Sequence, residues 1–178
     1  MSLNNTTVLE RIQEKAASLL IASGESADGM LWVSTTREQL LDLLNYLKTE
    51  ETLQFHFLTT LCAVHYPDKK GAELQIMYQL HNWMANIRMR VKVDLSIEDP
   101  TIPSATDLWP TANWMERQEY DFFGVQFQGH PNLVRILNVD DLDVFPMRKE
   151  YKLEDGTRTD KDDRFFGRDG NYSQSFIQ

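Results

Sequence analysis

Cysteine is nearly absent from this sequence: Cys62 stands alone among 178 residues. One thiol cannot close an intrachain disulfide, nor can it supply the several thiolates that hold an iron–sulfur cluster or a structural zinc. Metal chemistry of that kind is expected elsewhere than in this chain. Also missing is any apolar run near the ~20 residues that span a bilayer, so an integral membrane protein is not expected. Met1 to Thr7 carry no Lys or Arg and lack the basic segment and following apolar stretch of a secretory signal, which leads to the expectation of a cytoplasmic protein. Positive charge is the minority sign, with 18 Lys and Arg against 27 Asp and Glu and a net charge of −9. That balance argues against non-specific binding to nucleic acid or anionic lipid and leaves proteins or small molecules as partners.

What is present is ordinary for a soluble chain. A hydrophobic share of 42% and this length suit one domain that buries roughly 70% of its unfolded surface. Thr7 and Glu10 have capping-box spacing, and Val8, Ile12, Ala16 and Leu19 continue one stripe, so a helix is expected over residues 8–22. Gly24 and Gly29 bracket a loop before a short strand at 30–33, and a second helix starts at 35–38 with Leu40, Leu43, Leu44 and Leu47 facing the core. Residues 53–66 read as a strand, 67–71 as a turn and 73–81 as the returning strand. In 87–95 apolar and charged residues alternate strictly, giving one wet and one buried face. This order predicts an α+β fold, an antiparallel sheet with helices packed on one face.

Pro100, Pro103 and Pro110 mark the exit from the sheet, and a helix over 111–123 is stopped by Gly124. We divide the chain into an α+β domain, 1–129, and an extended C-terminal docking arm, 130–178. From Lys152 onward apolar residues are sparse and no period persists, so that stretch is expected to order only against a partner. No internal repeat is visible.

The densest constellation of polar groups is Glu116, Arg117, Glu119 and Asp121. In helical geometry Arg117 and Asp121 stand at i,i+4 and can pair, so a salt-bridged helix is favoured over a catalytic or metal role. Glu116 and Glu119, at i,i+3, have no neighbouring His to complete a metal site. The segment from Gly124 to Gly129 lacks the preceding strand and the Lys-Ser/Thr of a phosphate loop, and its glycines are read as turn residues. His56, His65, His81 and His130 are scattered without ligand spacing. The run from Phe145 to Tyr151 mixes apolar anchors with cations, which suits surface docking better than a core strand.

The unbroken run Glu116-Arg117-Gln118-Glu119-Tyr120-Asp121-Phe122-Phe123-Gly124-Val125-Gln126-Phe127-Gln128-Gly129-His130-Pro131-Asn132-Leu133 resembles the signature of a family in respiratory NADH:quinone oxidoreductase, complex I. That family is its thirty-kilodalton subunit, also called the C subunit. The similarity continues upstream through Ile102-Pro103-Ser104 and 109–114, and downstream through Arg135-Ile136-Leu137 and Pro146-Met147-Arg148-Lys149-Glu150-Tyr151. Gln118, Val134 and the segment 141–145 depart from the family pattern, which weakens particular contacts rather than membership.

The resemblance implies a subunit without cofactors of its own on the cytoplasmic hydrophilic arm of the complex, peripheral to the inner membrane and associated with it only through the assembly. Its expected neighbours are the forty-nine-kilodalton-type and twenty-kilodalton-type subunits of the quinone-reducing module. Electrons would pass from NADH through FMN and Fe–S clusters in other subunits to quinone. Glu116, Arg117, Glu119, Asp121, Gly124, His130, Pro131, Arg135, Pro146, Arg148, Lys149 and Tyr151 are the expected interface or structural residues, with no catalytic, cofactor or metal ligand among them. Two competitors stand beside this reading. One is the equivalent subunit of a membrane-bound hydrogenase or of a dehydrogenase with another electron donor. The other is a free-standing hydrolase built on Glu116, Glu119 and His130.

Overall fold

The computed structural model describes residues 3–151. Its first helix, α1 (Asn5–Ala16), is opened by Asn4: the Asn4 side chain accepts from the Thr7 N–H and the Thr7 hydroxyl accepts from the Asn4 N–H, both at 2.9 Å. Thr7 therefore closes the capping box that it was expected to open, and the helix starts earlier than residue 8. Val8, Ile12 and Ala16 are buried. The stripe runs out there, and a single 3-10 turn (Ala17–Leu19) leads into a strand, β1 (Ala22–Glu25), where helix and loop were expected. Gly24 lies within β1 because the indole of Trp32 rests on it; a Cβ at this position would sit 2.7 Å from Trp32 Cζ2.

Strand β2 (Leu31–Ser34) is followed by α2 (Leu40–Thr49), which begins later than expected. Thr35 is buried instead of capping, its hydroxyl donating to the Leu19 carbonyl at 2.6 Å. Leu40, Leu43, Leu44 and Leu47 are all fully buried, as their spacing predicts. Three nine-residue strands follow: β3 (Phe57–His65), β4 (Leu74–Asn82) and β5 (Ile87–Leu95). Along β5, Met89, Val91, Val93 and Leu95 are buried, with Arg88, Arg90, Lys92 and Asp94 turned outward.

The five strands lie in the order β1-β2-β5-β4-β3. Three pairings are antiparallel, but β2 and β5 run parallel, with Val33 opposite Val91. The hairpins that make β3–β5 antiparallel are local in sequence, whereas the β2–β5 pair spans α2 and two strands, and only a long-range contact sets its direction. The inward side chains of this sheet join those of α1 and α2 in one core that includes Tyr78, Phe55 and Leu61. The class is α+β, as expected.

Beyond the sheet, β6 (Thr101–Pro103) pairs in parallel with β7 (Gln126–Gln128), and α3 (Ala112–Phe123) lies between them in sequence. Both strands are only three residues long, too short to show a period, and β7 lies between Gly124 and Gly129, whose positive φ fits their reading as turn residues. Gly124 ends α3 in the left-handed conformation (φ 77), its N–H donating to the Tyr120 carbonyl at 2.9 Å. α3 packs on the outer edge of β3, where Glu119 accepts from the Ala63 N–H at 2.7 Å. That contact satisfies an edge amide that would otherwise be buried without a partner.

Candidate functional site

α3 and the chain that follows it, residues 130–151, form one polar-locked unit. Its centre is Asp121, whose side chain is wholly inaccessible. The carboxylate accepts from Arg135 Nη1 at 2.7 Å and from three successive backbone N–H groups, Ile136 at 3.1, Leu137 at 2.8 and Asn138 at 2.9 Å. A fifth donor, Asn138 Nδ2, lies at 3.0 Å. Burial pushes the Asp121 carboxyl upward, but the hydrogen bonds from Asn138, Arg135 and Leu137 outweigh it and hold the group well below the usual carboxylate range.

Arg135 also donates to the Leu142 and Val144 carbonyls, and its guanidinium lies 5.3 Å from the centre of the Phe145 ring. Arg148 stands 4.7 Å from the same ring and donates from Nε to the carbonyl of Phe123, the last residue of α3, at 2.7 Å. Phe145 reaches Gly124 so closely that a Cβ there would meet Phe145 Cε2 at 2.5 Å. Gly124 thus has two reasons to be glycine, its φ and its neighbour.

Arg117 does not pair with Asp121. Its guanidinium donates to the Val134 and Arg135 carbonyls, each at 3.0 Å, and lies 5.1 Å from the centre of the exposed Trp114 ring. The expected i,i+4 bridge gives way because the chain folded back on the helix offers Arg117 two backbone carbonyls and Asp121 a guanidinium with three backbone N–H groups. His130 accepts at Nδ1 from the Asn132 N–H and meets the Asn113 carbonyl at Nε2, 3.1 Å away, which sets the neutral tautomer with the proton on Nε2. Lys149 contributes its backbone N–H, which donates to His65 Nδ1 at 2.9 Å. Pro131, Pro146, Lys149 and Tyr151 are exposed on the surface of this segment.

Glu116 faces the opposite way, into the protein. It is fully buried and accepts from the Ser104 hydroxyl at 2.6 Å and the Ala105 N–H at 2.7 Å. Burial raises its pKa to about 7 against the pull of those two bonds, and Glu119 is raised to about 7 for the same reason. Glu116, Glu119 and His130 are therefore committed to three different places: the 104–105 loop, the edge of β3 and the turn after β7. They do not converge on a space where a substrate could sit. Among the described residues no group of three or more His, Cys, Asp or Glu side chains is placed to hold a metal ion.

Sequence reasoning missed Ser104, His65, Phe145 and Asn138 as members of this unit. Ser104 lay in the stretch carrying the resemblance, but nothing in its type marks it as a carboxylate partner. His65 was set aside for want of ligand spacing, and its role as an acceptor for an amide 84 residues away leaves no trace in local pattern.

The sequence pattern of the family described as respiratory-chain NADH dehydrogenase, 30 Kd subunit, matches residues 33–157. The chain belongs to that family. Relatives of the 30 Kd subunit that are named as the C subunit of NADH-quinone oxidoreductase include one from Roseiflexus castenholzii, 38% identical over 86% of this chain and 87% of its own. Another, from Citrifermentans bemidjiense, is 38% identical over 86% of this chain and 92% of its own. Among solved structures, the trypsin-resistant fragment (1-134) of Nqo5 superposes with a TM-score of 0.60 at 34% identity, covering 70% of this chain and 98% of the fragment. A chain of the archaeal membrane-bound sulfane sulfur reductase shares the 30 Kd subunit fold, with a TM-score of 0.70 at 24% identity over 83% of this chain and 85% of that one. The membership inferred from the run between Glu116 and Leu133 is borne out over a far longer stretch than that run. No helix among the described residues of this 30 Kd subunit is long and apolar enough to cross a membrane.

Proposed function

We propose that the chain is the cofactor-free C subunit of a proton-translocating NADH:quinone oxidoreductase and serves as a scaffold for its quinone-reducing module. It holds no reaction centre of its own in this reading. Electrons move from NADH through FMN and Fe–S clusters in other subunits to quinone, and this chain fixes the geometry of the module that delivers them. Its neighbours are the forty-nine-kilodalton-type and twenty-kilodalton-type subunits, on the cytoplasmic face of the membrane.

The observation that carries the scaffold reading is where the polar groups of α3 and of the segment that follows it point. Asp121, Arg117, Arg135 and Arg148 are spent on locking residues 130–151 against α3, not on a cleft. Locked in that way, the segment displays Val134, Leu137, Val139 and Met147, each at least 44% exposed. Large apolar side chains held on a rigid support are what a protein–protein contact requires, because little side-chain or loop entropy remains to be lost on docking. The dispersal of Glu116, Glu119 and His130 counts against a free-standing hydrolase.

The test is a paired Leu137→Asp and Val139→Asp variant of the tagged chain in its own host. Both side chains are exposed, so folding is retained and the expected result is loss of co-purified oxidoreductase subunits. Capture at the level of the unaltered chain would contradict docking through this segment.

A further inference from the structure

A second surface, on the other side of the molecule's sheet, is built for a different contact. The outward side chains of β3, β4 and β5 are all half-buried or exposed, in contrast to the inward set, which is buried apart from half-buried Ile87. At the β4–β5 end one cross-strand row places Phe57 opposite His81 and His81 opposite Arg88. The hairpin that joins the strands extends this row with Trp83, 70% exposed, and Met84, 89% exposed.

The hairpin tip is held firmly. Asn82 is buried and uses both ends of its amide, donating to the Leu53 carbonyl at 2.6 Å and accepting from the Ala85 N–H at 2.8 Å. Asn86 takes the left-handed conformation that the turn needs (φ 50), and its side chain meets His81 Nε2. The Trp83 ring is braced by Phe57, edge-on at 5.9 Å, and by His81, stacked at 6.0 Å. A Trp and a Met so presented are the preorganised anchors from which interface hot spots are made.

The charge around the tip differs from that of the rest of the chain. None of its 27 carboxylates falls between residues 74 and 93, a stretch that carries Arg88, Arg90 and Lys92. Arg90 is paired with Asp28 and Lys92 lies over the Trp32 ring, whereas exposed Arg88 has no carboxylate partner among the described residues. On a chain of net charge −9 the tip thus sets one cation unpaired among the described residues, Arg88, beside its apolar anchors, complementary to an apolar pocket rimmed by carboxylates.

We propose that the β4–β5 hairpin, through Trp83, Met84 and Phe57 with Arg88 beside them, docks into an acid-rimmed apolar pocket on a neighbouring subunit of the same oxidoreductase. This contact is separate from that of residues 130–151 and rests on the subunit reading given above.

The experiment places a photo-crosslinking amino acid at position 84 of the tagged full chain in its host and compares co-purification of Trp83→Ala and Arg88→Glu variants with that of the unaltered chain. Each altered side chain is exposed, so the melting temperature of the isolated chain serves as the folding control. The expected result is a crosslink to one other subunit, at a site flanked by Asp or Glu, with capture of that subunit falling about tenfold or more in both variants. Several results would overturn the proposal: a crosslink to lipid, to a second copy of the chain or to its own residues 152–178, or undiminished capture in both variants. If the unaltered chain captured no oxidoreductase subunits, the subunit reading itself would fall. If it captured them without a crosslink at position 84, only the hairpin contact would.

Discussion

Arg135 and Asp121, fourteen residues apart, meet at 2.7 Å in a site where the carboxylate is fully inaccessible and the guanidinium nearly so. Around that pair Asp121 gathers the N–H groups of Ile136, Leu137 and Asn138, so one side chain of α3 dictates the path of the chain that follows. Removing the acceptor leaves these donors inside the fold without the charge that they converge on.

Asp121→Asn is therefore expected to destabilise the chain by about 3–5 kcal/mol, the cost of leaving a buried ion without its partner. Denaturant titration gives the magnitude. Limited proteolysis gives the location, with cleavage within 130–151 expected to precede loss of the sheet. A change below about 1 kcal/mol with no new cleavage would mean that the clamp does not hold the segment.

The pH dependence of stability follows from two groups that oppose Asp121. Burial raises Glu116 and Glu119 from 4.5 to about 7, so the folded chain binds these protons more tightly than the unfolded one. Their stabilising contribution is full below pH 4.5, declines as pH rises and is gone above about 7. Asp121 is depressed, and its contribution is present above its ordinary value of 3.8 and lost as pH falls below it. Melting temperature is expected to be higher at about pH 5.5 than at about pH 8. A Glu116→Gln, Glu119→Gln double variant should flatten that difference; an unchanged slope would assign it to other groups.

Gly124→Ala carries two penalties and Gly71→Ala only one. Both positions have positive φ, but a Cβ at Gly71 meets nothing within 4 Å whereas one at Gly124 collides with Phe145 and Arg148. Left-handed strain alone is worth ~1–2 kcal/mol, and the Gly124 variant is expected to lose at least ~1 kcal/mol more through the displaced ring. Equal losses in the two variants would show that Phe145 moves aside without cost.

Tyr78 is fully buried, and its hydroxyl has no hydrogen-bond partner among the described residues. Burial and the nearby Glu116 carboxylate both push its pKa well above 10. Tyr78→Phe keeps the ring and removes an unsatisfied oxygen, so stability is expected to be unchanged or to rise by up to ~1–2 kcal/mol. A loss of that size in thermal unfolding would reveal a bond that the hydroxyl makes in solution.

Elements held together by local periodicity were legible in the sequence. The leucines of α2, the alternation of β5, the β3–β4 turn and the Gly124 stop of α3 all announce themselves within a few residues. The parallel β2–β5 pair, the short β6–β7 pair and the capping of α1 by Asn4 did not, because each depends on a distant partner or on a choice between adjacent caps. The same division holds at the site. The run from Glu116 to Leu133 marked the right region, and the family it resembles is the one to which the chain belongs. Arg117 and Asp121 were nonetheless assigned to each other, since helical spacing knows nothing of Val134 or Arg135 folding back over the helix.

The most direct measurement is capture of the tagged, unaltered chain from gently solubilised membranes of its own host, with identification of the captured subunits and an assay of NADH:quinone reduction on the same material. The predicted result is a set of oxidoreductase subunits that includes the forty-nine-kilodalton-type and twenty-kilodalton-type chains and reduces quinone with NADH. A chain recovered without those subunits, or with them but reducing quinone only with a different electron donor, would contradict its assignment as the C subunit of an NADH:quinone oxidoreductase.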